Sequence, residues 1–334
     1  MEQQQEHNCE NRLEQYLADD ANRDRFRNLV QGKALGASSN IRSIIGFMTD
    51  LAMHAKGKGL ESRELVSRTK EMTDYFDRLR GDSSIAVRNA ILLLTQNISA
   101  LGALPLDACA DGILKNCGKF QAQIERDARA LCESSLGILR ERRRIFVYDY
   151  SSSVDAILTA LYENGVDFHT VISESRLLDG GYPFLPSAQK RGEKPMFVME
   201  ACMGSAIRRC DAAIIGAETL YAEGSVINTA GSDLVGMCCV HHGVPLYVAT
   251  TFLKLDGRGE RMFPDKDSTC DMATVLASGW PEETRKRTDF TCHGFSLVEH
   301  QWITGYFTER GYVSAAGIQN QATRYMRELK GDPQ

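Results

Sequence analysis

Residues 145–162 read IFVYDYSSSVDAILTALY, and this stretch decides the fold. Its first four residues are apolar, with β-branched and aromatic side chains among them, and have the length of a buried strand. A polar break, DYSSS, follows, and apolar residues then recur at helical spacing to about Tyr162. A short buried strand feeding a helix is the first half of a βαβ unit. The texture repeats downstream. HTVI (169–172), MFVM (196–199), AAII (212–215) and LYVA (246–249) are further apolar runs, while 202–209 and 230–242 read as helices. The link through SESRLLDGGYPF is loop-rich. Strands alternating with helices predict a parallel sheet covered on both faces. The expected fold class is therefore α/β, with a Rossmann-like, doubly wound domain over residues 144–334.

Upstream of this stretch the texture is helical. Ser38 or Ser39 is expected to cap a helix carrying Ile41, Ile44, Ile45, Met48 and Leu51 on one face. Leu65, Met72, Phe76 and Leu79 mark a second helix, ended by Gly81. Ser83 or Ser84 caps a third, in which Ile85, Leu92 and Ile98 recur. A longer one runs through Ile113, Phe120, Ile124, Leu131, Leu136 and Leu139, closed by the basic run Arg140, Arg142, Arg143 and Arg144. A solvated helix end suits that run, since cations are favoured at a helix C-terminus. An N-terminal helical domain over residues 1–143 is expected.

Composition narrows the classes of function. The chain has 334 residues, 43% hydrophobic and 25% charged, so a packed core in two domains is expected rather than disorder. A formal net charge of -5 argues against nucleic acid as a partner, because phosphate contacts need a basic face. No apolar stretch approaches the length of a membrane span, and MEQQQEHNCENR at the start is too polar for a signal or transit peptide. A cytoplasmic location is expected. The ten cysteines include no C-x-x-C and no zinc-finger spacing, so free thiols are expected and no metal site.

In a doubly wound sheet, ligands bind beyond the carboxyl ends of the strands. Asp149, Tyr150, Ser151 and Ser152 follow the first run, and Ser173, Glu174, Ser175 and Arg176 follow the second. Gly216, Ala217 and Glu218 follow AAII, with a loop to Asn228; Thr250, Thr251 and Lys254 follow LYVA. Acids, hydroxyls, an amide and two cations at one mouth suit an anionic, hydroxyl-rich ligand. Solvated strand-end loops would look the same. There is no G-x-G-x-x-G, no P-loop, no H-E-x-x-H and no nucleophile elbow, so no cofactor is expected. His241–His242 reads as a helix end, and Cys292–His293 as an irregular stretch without a catalytic role.

Residues 214–232, IIGAETLYAEGSVINTAGS, resemble a signature of the family of the alpha subunit of eukaryotic translation initiation factor 2B. SESR (173–176), VPLYVAT (244–250) with Lys254, and RMFP (261–264) resemble further motifs of that family, in order. TERGYVSAAGI (308–318) and SSIAVRNA (83–90) add to the resemblance, which spans roughly residues 80–330. Methylthioribose-1-phosphate isomerase and ribose-1,5-bisphosphate isomerase share the family's fold. By the resemblance, those enzymes use a Cys after the first strand and an Asp in a GAD motif to move protons. Here the two positions read Asp149 and Glu218, and the family's Asn–Lys phosphate pair reads Asn228–Thr229. The resemblance thus implies a pocket kept for binding, through Arg176, Glu218, Asn228 and Lys254, and degraded for catalysis. It implies a regulatory subunit of the guanine nucleotide exchange factor for initiation factor 2. That subunit would be a homodimer bridging other subunits, sensing phosphorylated initiation factor 2 and binding a sugar phosphate or nucleoside monophosphate. The alternatives are an active phosphosugar isomerase using Glu218 and Asp149, and a stand-alone ligand sensor.

Overall fold

The computed structural model describes residues 2–33, 36–81, 84–258 and 269–330. RMFP (261–264) and Ser83 of the family motifs lie outside the described residues. The chain divides into two compact units, Met1–Glu125 and Arg126–Gln334. This division falls inside a long helix rather than at the change of texture near residue 144.

The first unit is built from α1 (Glu2–Tyr16), α2 (Asp20–Val30), α3 (Ala37–His54), α4 (Ser62–Phe76), α5 (Ile85–Thr95), α6 (Ile98–Leu101) and the start of α7 (Leu106–Leu139). All five apolar residues expected on one face of α3 are buried. Phe26 of α2, Phe47 of α3 and Phe76 of α4 meet with ring centroids 5.5–5.9 Å apart, the edge-on and offset geometry aromatic rings prefer. Two expectations need correction. The chain enters α3 through Gly36, at φ 82°, so Ser38 and Ser39 lie within the first turn instead of capping it. The third helix stops at Thr95, because Asn97 adopts φ 62°; Leu92 is exposed and Ile98 belongs to the separate α6.

The start of α2 is held by a buried acid from α3. The N–H groups of Ala18 and Asp19 donate to Asp50 Oδ1 and Oδ2 at 3.0 and 2.9 Å, and Asn22 Nδ2 donates at 3.1 Å. Desolvation pushes the Asp50 carboxyl up, but these donors and the nearby His54 outweigh it and hold it below its ordinary value. A depressed carboxyl stabilises the fold above its unfolded pKa, and the contribution is lost as pH falls through the folded value. Asp50→Asn, which keeps one acceptor, is expected to cost about 1–2 kcal/mol at pH 7 and less at pH 3, read by urea unfolding at both.

The second unit contains the rest of α7 and the elements β1 (Arg144–Tyr148), α8 (Ser152–Glu163), β2 (His169–Ser173), α9 (Phe184–Lys190), β3 (Met196–Val198), α10 (Met203–Ile207) and β4 (Ala212–Ile215). There follow β5 (Thr219–Leu220), β6 (Val226–Thr229), α11 (Ser232–His242), β7 (Leu246–Ala249), β8 (Thr269–Asp271), α12 (Ala273–Leu276), α13 (Glu282–Lys286), β9 (Thr291–His293), β10 (Phe295–Val298), β11 (Gly305–Thr308), β12 (Gly311–Ser314) and α14 (Ile318–Lys330). The main sheet has the order β12-β11-β7-β4-β1-β2-β3, parallel except for the edge hairpin β11–β12. The doubly wound α/β expectation is met. Each central strand is buried on both faces, and the pleat sends alternate residues to opposite cores. Ile145 and Val147 pack with Leu131, Leu139 and α8. Phe146 and Tyr148 pack with Met203, Val235 and Ile318.

The chain runs from β1 outward to β2 and β3, then returns to place β4, β7 and β11 on the other side of β1. Strand order therefore reverses between β1 and β4, and the crevice beyond their carboxyl ends is where such a sheet takes a ligand. A smaller antiparallel sheet, β10-β6-β5, supplies Asn228 and Thr229. Cys292 and His293, expected in an irregular stretch, form β9 opposite β8. No described helix is long and apolar enough to cross a membrane.

Candidate functional site

Asp149 is the first residue beyond β1 and lies on the β1 side of the switch. Its backbone has φ 54°, and Ser175, beyond β2, has φ 47°. Left-handed backbone costs a non-glycine residue about 1–2 kcal/mol, and Asp tolerates it best through local hydrogen bonding. Here the two residues bond to each other: Ser175 Oγ donates to Asp149 Oδ1 at 2.9 Å. Thr229 Oγ1, from the end of β6, donates to Oδ2 at 2.7 Å. The loop after Ser175 closes over this carboxylate, and a side chain at Gly180 would begin 2.0 Å from Asp149 Oδ1. Burial pushes the Asp149 carboxyl above its ordinary value; the Thr229 and Ser175 hydroxyls pull it back, and the Glu218 and Glu200 charges push it further up.

A second acidic residue organises the neighbouring loops. Glu200 follows β3; its Oε1 lies 2.9 Å from Tyr148 Oη, and its Oε2 accepts the Arg176 N–H at 2.8 Å. The Glu200 N–H donates to Glu174 Oε1 at 3.1 Å. Tyr148 Oη also lies against Ala230 O, so its single proton serves two acceptors at the base of the crevice. Glu200 has the same sequence signal as Asp149: it is the polar residue just beyond an apolar run. Thr229 had no such signal, because its position opposite Asp149 depends on the antiparallel sheet.

The residues expected from sequence are brought together in part. Glu218 lies on the β4 side of the switch, with its N–H donating to Ile227 O at 2.8 Å. Lys254 Nζ donates to Ala217 O, tying the β7 loop to the residue before Glu218. Asn228 is buried and gives its amide to Ser232 Oγ at 2.9 Å, at the start of α11. Arg176 is exposed, with its guanidinium 3.6 Å from Glu174; among the described residues no ion pair joins it to Glu218. His241 and His242 end α11 and lie in its last turn. No cluster of three or more metal-binding side chains occurs among the described residues.

The chemistry open to Asp149 follows from its partners. Both carboxyl oxygens are engaged by buried hydroxyls, so passing a proton to a ligand would disturb two hydrogen bonds. Asp149 and Thr229, eighty residues apart in sequence, are thus in direct contact.

The family model described as IF-2B, Initiation factor 2 subunit family, matches residues 37–315. Translation initiation factor eIF2B subunit alpha of Caenorhabditis elegans is 26% identical over 196 residues, 55% of this chain and 60% of that protein. Ribose 1,5-bisphosphate isomerase of Haloferax volcanii is 22% identical over 262 residues, 75% of each chain. The crystal structure of the Pyrococcus horikoshii OT3 translation initiation factor eIF-2B superposes with a TM-score of 0.70 at 20% identity, covering 89% of this chain and 98% of that one, which is a likeness of fold. The short motifs around Glu218 and Asn228, the doubly wound sheet and the family match over residues 37–315 agree: this chain belongs to the initiation factor 2 subunit family.

Proposed function

We propose that this chain is a regulatory subunit of an initiation factor 2B-type nucleotide exchange assembly, and that its crevice binds a phosphorylated sugar or nucleoside monophosphate without turning it over. The observation that carries this reading is the Asp149 contact set. A position that would have to exchange protons is occupied by a carboxylate held by Ser175 and Thr229. Glu218, Arg176, Asn228 and Lys254 are the proposed ligand contacts, the cations meeting phosphate and the carboxylate meeting hydroxyls. The α/β region is the proposed dimer surface, for which Leu234, Met237 and Val240 give one exposed apolar stripe on α11. Other initiation factor 2B subunits and phosphorylated initiation factor 2 are the proposed partners, and the cytoplasm is the proposed location. The helical domain is proposed to take part in sensing.

One observation favours a second reading, an active phosphosugar isomerase. Asp149 is a carboxyl with a raised pKa in the field of Glu218, the arrangement from which acid–base pairs are made. Incubation with ribose-1,5-bisphosphate and with methylthioribose-1-phosphate separates the two. No ketose is expected, with thermal stabilisation by the phosphosugar. Turnover abolished by Glu218→Gln would establish the isomerase instead. Native mass of the complex drawn from its own cells is expected to exceed that of a dimer; a solitary dimer would refute the subunit role.

A further inference from the structure

We propose that Cys270 and Cys292 form a reversible cross-strand disulfide that clasps the β8–β9 ribbon. The two residues face each other in antiparallel register, with Thr269 opposite His293 and Asp271 opposite Thr291. Directly opposed residues send their side chains to the same face of a ribbon. Both thiols are free and half-buried, and Cys270 Sγ lies 3.7 Å from Cys292 O, so one sulfur already lies against the other residue.

Parity sets what kind of bond this would be. The Met272 N–H donates to Phe290 O at 3.1 Å, which makes 272 and 290 a hydrogen-bonded pair. Pairs alternate along an antiparallel ladder, so 270 and 292 are a hydrogen-bonded pair as well. Such pairs have Cα atoms about 5.5 Å apart, within the range a disulfide spans. Their Cβ atoms start farther apart than a relaxed disulfide prefers, so the ribbon must tighten as the bond closes. A bond formed under that strain is easily reduced, as labile disulfides are.

The reaction needs a disulfide oxidant of the glutathione class. One thiolate attacks a sulfur of the oxidant, expelling one small thiol and leaving a mixed disulfide. The opposite thiolate then displaces the second small thiol. Two protein thiols and one small disulfide become one protein disulfide and two small thiols; two electrons pass to the oxidant, and both protons end on the thiols released. The consequence reaches the crevice through the chain. Gly294, between β9 and β10, accepts the Ala230 N–H at 3.0 Å, and β10 pairs with the strand that bears Asn228 and Thr229.

The test is peptide mapping after equilibration in glutathione buffers, since trypsin separates 267–285 from 288–310. The folded full-length chain, held at pH 8 in excess oxidised glutathione and then alkylated, is expected to yield these peptides linked, lighter by two hydrogens than their sum. Excess reduced glutathione should return both as alkylated single peptides. Cys292→Ser should leave Cys270 as a mixed disulfide with glutathione. Two results would overturn the proposal: single peptides, or links to other cysteines, from the oxidised folded chain; or an equal yield of the linked pair from chain oxidised in denaturant, where the fold cannot align it.

Discussion

Replacing Gly231 with alanine is expected to destabilise the protein by about 4 kcal/mol, the sum of two costs that act at one atom. Gly231 has φ +97°, a backbone conformation that strains any residue with a Cβ by about 1–3 kcal/mol. The added Cβ would also stand 2.1 Å from Tyr148 Oη and 2.9 Å from Glu200 Oε1. Neither atom can move freely: the hydroxyl is bonded to Ala230 O and Glu200, and Glu200 holds the Arg176 N–H. Overpacking of this kind costs about 1–3 kcal/mol more. Urea unfolding of Gly231→Ala beside the parent reads the total. In a Tyr148→Phe background the steric share should shrink while the backbone share persists, so the two changes should be less than additive by about 1–2 kcal/mol. A loss below about 1 kcal/mol in the parent background would mean that the glycine turn into α11 is not packed as described.

That turn also marks the limit of what sequence revealed. The five strands read from IFVY, HTVI, MFVM, AAII and LYVA all exist; β1, β4 and β7 are written as unbroken apolar runs because they are buried on both faces, whereas β3 lies at the sheet edge with Met196 and Phe197 exposed. Strands β10, β11 and β12 were not legible as runs: Phe295, Leu297 and Val298 are interrupted by Ser296, and the hairpin Gly305–Ser314 is broken by Thr308, Glu309, Arg310 and Gly311. Their pairing is a long-range matter that no local window contains. The site divides in the same way. Asp149 and Glu218 could be located because strand ends on a parallel sheet converge. Thr229 could not, since Asp149 and Thr229 are eighty residues apart and meet only through the second sheet. The resemblance drew attention to Thr229 beside Asn228; the hydrogen bond from Thr229 to Asp149 appears only in three dimensions.

Glu309→Gln is expected to stabilise the protein increasingly as pH rises, by about 2–3 kcal/mol more at pH 8 than at pH 5. Glu309 follows β11 and accepts the Phe252 N–H with both oxygens, at 3.1 and 3.2 Å, at the start of the turn that carries Lys254. Burial pushes its carboxyl up from 4.5 to about 7; the Phe252 N–H and Arg310 lower it too little, and Asp127 adds to the rise. Arg310 is a weak counter-charge because its guanidinium is paired with Glu328 and lies over the Phe252 and Tyr325 rings. Between 4.5 and 7 the folded state binds a proton that the unfolded chain has released, so stability falls with rising pH across that window and levels above it. A carboxyl raised from 4.5 to about 7 corresponds to about 3 kcal/mol. Glutamine keeps a carbonyl oxygen for Phe252 and carries no charge, so the variant lacks this slope. Urea unfolding of both proteins from pH 5 to 8.5 measures it: parallel curves would show that Glu309 is solvated like an ordinary carboxyl. The sign is opposite to that at Asp50, whose carboxyl is surrounded by donors and held down. Two acids in one chain thus respond to pH in opposite directions: desolvation prevails at Glu309, with Asp127 adding to it, whereas at Asp50 the Asn22 amide and His54 join two backbone N–H groups to overcome it.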